Sequence, residues 1–246
     1  MPRRFDPDDP ELMDRPQPVS AELERDLENL ASLNRWFGSH RLLRHFLRRW
    51  WTPGSSYRVL DLCTGAGDLP RVMVDFARSH GIPIRIIAVD ANRSTLEIAR
   101  SLSAGYDEIT FTEGNAMTCG SPGEFDMVHC ALALHHFGNA DAVALLRHCA
   151  RLSKRWVLAS DLVRSPFTTA GARLLTQFIY RDAMTRHDAR LSAQRAFSFR
   201  EMANLAAEAG WTGHGHARFP FGRQALWLDS GAEIPQEDLQ PEPCPG

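Results

Sequence analysis

Between residues 57 and 160, short apolar runs alternate with amphipathic helical stretches, and this alternation limits the possible folds more than any other feature. Runs at 58–62 (RVLDL), 84–89 (IRIIAV), 108–112, 126–131 and 155–160 (RWVLAS) predict five strands. Segments 69–80, 94–102 and 140–152 carry helical spacing between them. The strands are apolar throughout, so they are buried on both faces, as in a parallel sheet covered by helices on either side. The rhythm changes after Asp161. Residues 167–185 read as one long helix, RHDARLS as a polar connection, and 199–209 as a further helix. Segments 211–217 and 223–229 read as an antiparallel closing hairpin. The fold class is therefore α/β: a doubly wound sheet, mostly parallel, with an antiparallel end.

Two flanks lie outside this rhythm. Ser20 suits a helix N-cap, and Leu23, Leu27, Leu30, Leu33 and Phe37 follow at helical spacing. Residues 20–52 thus read as a helical lid, and about 162–197 as a helical insert, on a main domain of 57–229. Residues 1–19 hold five prolines and read as a flexible arm; 230–246, acidic and proline-rich, reads as a disordered tail. A length of 246 residues suits one domain with such appendages. The net charge of −2 gives no general attraction to nucleic acid. No run approaches the roughly 18 apolar residues of a membrane span. The basic, aromatic stretch 35–51 leaves two readings, contact with a membrane surface or a helix docked on the core. The five cysteines are dispersed, without a C-x-x-C pair, which argues for a reducing cytoplasm and against a disulfide framework or a metal site. The oligomeric state is open.

The chemistry concentrates at strand ends. After the first strand comes Asp61-Leu62-Cys63-Thr64-Gly65-Ala66-Gly67-Asp68. Gly65 and Gly67 permit a sharp turn and close approach of a ligand to the backbone. A dinucleotide fingerprint would need a third glycine, but Pro70 follows instead. Asp61, four residues before Gly65, suits a cationic head such as an ammonium group rather than a pyrophosphate. Asp90, followed by Ala91, closes the second strand; it is either an acceptor for ribose hydroxyls or an acid at a helix start. Asn115 and Ala116 follow the third strand, with Asn115 a contact for a base edge or a turn residue. The fourth strand ends at Ala131 and runs into Leu134-His135-His136-Phe137, where the histidines are either a base or packed junction residues. His187 is a second candidate base.

Taken in order, these motifs resemble the class I S-adenosylmethionine-dependent methyltransferases, over roughly residues 57–160. The segment LNRWFGSHRLL and the loop CTGAGDL are similar to the ubiquinone and menaquinone biosynthesis methyltransferases. The resemblance implies a Rossmann-like sheet and S-adenosyl-L-methionine as cofactor. It places Asp61, Cys63, Gly65, Gly67, Asp90, Ala91, Asn115, Ala116 and Ala131 around that cofactor. Cys63 and Asn115 depart from the usual small residue and acid. The likeness fades after Asp161, so a quinone precursor does not carry over as substrate. A D/N-P-P-Y-like turn, which nucleobase enzymes place after the fourth strand, is replaced by CALALHH. Ala131 stands where metal-dependent catechol enzymes carry an acid. The expected acceptor is a small molecule of aromatic, polyketide or quinone-like kind, methylated on oxygen or carbon. Trp36, Phe37, Phe178 and Tyr180 are candidates for its apolar wall. A non-catalytic cofactor-binding regulator and a nucleotide-dependent oxidoreductase are the rival readings.

Overall fold

The computed structural model describes residues 2–229; the tail expected to be disordered, 230–246, lies outside them. Two helices come first, α1 (Ala21–Trp36) and α2 (Ser39–Trp50). The alternating region then runs β1 (Tyr57–Leu62), α3 (Asp68–Ser79), β2 (Ile84–Asp90), α4 (Arg93–Leu102), β3 (Ile109–Glu113), β4 (Phe125–Ala131), α5 (Asn139–Leu152) and β5 (Ser153–Leu162). Helices α6 (Pro166–Phe178), α7 (Ala183–Arg195) and α8 (Phe199–Glu208) lead to the hairpin β6 (Gly215–Phe219) and β7 (Arg223–Asp229). The strand order is β3-β2-β1-β4-β5-β7-β6. The first five strands are mutually parallel, and β7 is antiparallel to both β5 and β6. This is the expected doubly wound sheet with a closing hairpin.

Strand periodicity divides the core. Leu60, Leu62, Val128, Cys130, Val157 and Ala159 face α5 and α8, while Val59, Ile86, Ala88, Met127 and Leu158 face α2 and α3. Both sets are buried, which is why the strands carry no polar alternation. Phe46, Trp50 and Trp51 of the basic aromatic stretch are in this core, so α2 is a structural helix rather than part of a lid.

Three expectations are corrected. Residues 2–19 are anchored rather than loose. Arg3 donates to the carbonyls of His135 and Phe137 at 3.2 and 2.7 Å, and the backbone N–H groups of Leu12 and Met13 donate to Asp188 at 2.8 and 3.0 Å. Prolines announce a lack of periodic structure, and tertiary hydrogen bonds supply the order here. The long helix expected over 167–185 is two helices. Asp182 accepts from the N–H groups of Met184 and Thr185, capping α7, and RHDARLS lies inside that helix. The first hairpin strand begins at Gly215; Trp211 is instead a buried residue donating to the carbonyl of Leu146 at 3.1 Å.

Candidate functional site

A cavity of about 1210 Å³ opens at the carboxyl ends of β1, β2 and β4, and the arm, α1, α6 and α7 close over it. It exceeds the ~300–1,000 Å³ of a single small-molecule pocket and offers room for two ligands.

The side nearest β1 and β2 is polar. Gly65 takes φ +55°, and the space where a Cβ would stand is open. Its N–H donates to Asp90 Oδ2 at 2.9 Å, while Asp90 Oδ1 accepts from the N–H of Asn92 at 3.0 Å. The carboxylate therefore joins the two strand-end loops. Burial raises the Asp90 pKa, partly offset by these hydrogen bonds. Asp61 is buried with its Oδ1 2.5 Å from His129 Nδ1, and still lines the cavity. Cys63 (φ +56°), Ala91 and Ala131 line it as well. The Cys63 thiol is pushed well up, first by its contact with Cys130 and then by burial, so it stays protonated.

Three expected cofactor residues do not line the cavity. Gly67 has φ +68°, but an added Cβ would stand 2.8 Å from the Phe111 ring. Its glycine is required by packing against β3. Asn115 is exposed and accepts from the N–H of Met117 at 2.9 Å, the turn role left open above. Ala116 is buried in the core. Glu113, at the end of β3, lines the cavity on that side instead.

The two histidines after β4 diverge in environment. Buried His135 places Nδ1 2.7 Å from Asp161 Oδ1 and Nε2 3.6 Å from Glu11 Oε1. Burial alone would lower its pKa, but those carboxylates outweigh it and push it up to about 10. His136 is partly open, with Nδ1 2.8 Å from Asp14 Oδ2 and Nε2 3.9 Å from Glu11 Oε1. Burial opposes a charge on it too, and Glu11 above all reverses the direction, raising its pKa. Glu11, despite full burial, is held down to about 2 by His136, His135 and a hydrogen bond from Ser192. The ligand atoms of Glu11, His135 and His136 lie within 4.8 Å of one another, a possible metal donor set. No sequence spacing discloses it, because Glu11 arrives from a segment read as loose.

His187 is not brought to the cavity. It faces outward beside Asp188, while Ala189, Ser192 and Ala193 on the other side of α7 line the interior. Of the expected apolar wall, only Phe37 takes part. Trp36 and Phe178 are 66% and 63% exposed, and the Tyr180 hydroxyl lies 2.9 Å from Ser32 Oγ, tying α1 to the turn after α6. Leu30 and Leu33 of α1, Phe167 and Leu175 of α6, and Phe221 form the wall instead. Which faces of α1 and α6 meet the cavity is set by tertiary packing, which residue type alone does not reveal.

The strand order, the glycine loop after β1 and the acid closing β2 are the arrangement seen in class I S-adenosylmethionine-dependent methyltransferase folds. Residues 59–155 match the family described as "Methyltransferase domain". The 2-phytyl-1,4-naphtoquinone methyltransferase of Thermosynechococcus vestitus is 33% identical over 81 residues, covering 33% of this chain and 35% of that protein. The ubiquinone biosynthesis O-methyltransferase of Thiobacillus denitrificans is 26% identical over 197 residues, covering 66% of this chain and 77% of that protein. A SAM-dependent methyltransferase structure from Aquifex aeolicus superposes with a TM-score of 0.57 at 16% identity, covering 86% of this chain and 98% of that one. The chain thus spans about a third of the first relative and about three quarters of the second. The fold is that of S-adenosylmethionine-dependent methyltransferases, and residues 59–155 resemble their methyltransferase domain, whose cofactor is S-adenosylmethionine. Among the described residues no helix is long and apolar enough to cross a membrane.

The residues present fit that cofactor. Asp61, Asp90 and Glu113 supply acceptors for a ligand rich in N–H and O–H groups and bearing positive charge. The buried Thr64 hydroxyl, next to the open face of Gly65, has no protein partner.

Proposed function

We propose that the chain methylates a small, flat, largely apolar acceptor of aromatic, polyketide or quinone-like kind, on oxygen or carbon. The observation that carries this reading is the continuity of the cavity. It runs from the acidic strand ends of β1 and β2 to the apolar wall of α1 and α6 without a dividing element. The bound cofactor supplies a methyl group already activated on a cationic sulfur. The chain's own residues hold the partners in line and exclude water. Asp90 and the Gly65 loop hold the cofactor's ribose side, while Asp61, braced by His129, faces its amino-acid end.

Phe37, Leu33 and Leu175 offer the acceptor an apolar surface, and the arm, through Met13 and Asp14, covers the opening. His136, oriented by Asp14 through Nδ1, lines the cavity and is the candidate to receive a phenol's proton at Nε2. The named roles of the relatives in quinone biosynthesis support an acceptor of this class. A reducing, cytoplasmic setting belongs to the reading, and the four free cysteines among the described residues suit it.

The test is transfer of labelled methyl to a panel of phenols, quinols and polyketide-like enols. Labelled product with one of them, reduced by His136→Ala, is expected. Tight cofactor binding without transfer to any acceptor would instead mark a regulator.

A further inference from the structure

Arg223 opens β7 opposite Leu162, the last residue of β5, and so stands at the edge of the sheet where the cavity lies. It is only 6% exposed. Its Nε donates to the carbonyl of Phe37 at 3.0 Å, closing the C-terminal end of α1. Among the described residues its two Nη atoms have neither a hydrogen bond nor an ion pair.

The nearest acids are engaged elsewhere. Asp161 receives the N–H groups of His135 and Leu162 and the His135 ring; Asp68 receives Asn34 and His40. Burial lowers the Arg223 pKa to about 10, which leaves it charged at neutral pH. A desolvated guanidinium with its planar fork unused is costly until an anion meets it. The fork matches a carboxylate through two parallel hydrogen bonds.

Its surroundings define the rest of the ligand. Phe37, Phe221 and Leu162 flank it along the apolar wall, with Thr168 beside Gly222. The other charged groups of the cavity are mostly acids, and Arg93, across the site, is exposed and paired with Glu97. We propose that Arg223 is the cavity's carboxylate receptor, and that it selects an aromatic acid as the methyl acceptor. This rests on the reading of the site as a methyltransferase. The cofactor's own carboxylate is the other source of the same chemistry. The place of Arg223 beside Phe37, Phe221 and Leu162 on the apolar wall favours the acceptor.

Calorimetry on the full chain separates these sources without needing turnover. The probes are S-adenosylhomocysteine and, in its presence, a set of hydroxybenzoic and hydroxynaphthoic acids with their methyl esters. The parent is expected to bind at least one acid about tenfold or more tightly than its ester. Arg223→Gln is expected to abolish that preference, Arg223→Lys to keep part of it, and both to hold S-adenosylhomocysteine like the parent. A tenfold loss of S-adenosylhomocysteine affinity in Arg223→Gln would uphold the carboxylate receptor and assign it to the cofactor. A parent that binds no acid better than its ester, with S-adenosylhomocysteine held equally by parent and Arg223→Gln, would overturn the proposal. The acid-to-ester comparison on the parent stands even if the variants fail to fold. An absence of methyl transfer would count against the function above and leave these binding results intact.

Discussion

Replacing Asp26 with asparagine is expected to stabilise the protein at pH 8 and to change little near pH 4. Asp26 lies on α1, fully buried, and neither carboxylate oxygen has a hydrogen-bond partner of good geometry. Burial is the main reason its pKa rises from 3.8 to about 7; nearby Asp188, Asp182 and Glu11 add to the rise, and Thr185 opposes it. In the unfolded chain the same group ionises near 3.8. Between these values the folded state holds a proton that the unfolded state has lost. Stability therefore falls as pH rises through this window, and the loss is complete above about pH 7. At about 1.36 kcal/mol per pH unit the ceiling is about 4 kcal/mol. An asparagine never ionises and escapes the loss, and its amide N–H groups can donate to the surrounding carboxylates. A gain of about 2–4 kcal/mol corresponds to a rise in Tm of roughly 5–15 °C for a chain of this size. Urea unfolding of parent and Asp26→Asn at pH 5, 6, 7 and 8 is the assay, with the slopes compared to check that the unfolded states match. The reasoning fails if the variant is no more stable than the parent at pH 8, or if the difference between them is the same at pH 5 and pH 8.

Asp90→Ala should weaken S-adenosylhomocysteine binding by at least tenfold in calorimetry, since it removes the acceptor that also holds the Gly65 and Asn92 loops together; unchanged affinity would discard Asp90 as a ribose ligand. Gly67→Ala should lower stability by about 1–3 kcal/mol through collision with the Phe111 ring and its positive φ, with partial recovery on adding Phe111→Leu; a loss of cofactor affinity at full stability would return Gly67 to the site. Removing residues 1–19 should cut turnover and also weaken the cofactor, because Met13 and Gln17 accept from Asn92 and Ser94 beside Asp90 while Glu11, Met13 and Asp14 line the cavity; full-rate methylation by a folded truncation would show the arm to be dispensable. His187→Ala should leave turnover unchanged, its ring facing away from the cavity, and a large loss would mean that α7 turns during the reaction.

The sheet was legible because its information is local. Five apolar runs of strand length, separated by helical spacing, leave one economical arrangement, and Asp61, Gly65 and Asp90 follow from standing at strand ends. What escaped depends on partners far away in the chain. Asp182 stops a helix by capping the next one, a choice that composition over 167–185 does not reveal. Gly67 is explained by a phenylalanine ring on β3. His187 and Phe178 looked suitable by residue type, but Phe178 is exposed on α6, and His187, read as part of a polar connection, lies on the outer face of α7. Arg223 was read as the first residue of a closing strand, and only the register with Leu162 shows that this end of the hairpin borders the ligand.

The arm that closes the cavity also sets the order in which the site is built. Leu12 and Met13 meet Asp188 at separations of 176 and 175 positions. During synthesis these arm residues precede their partner on α7 by roughly 10–35 s at about 5–20 residues per second. The parallel strands and the glycine loop are complete well before then. The strand-end loops that line the floor of the cavity therefore precede in the chain the α7 residues that fasten its cover.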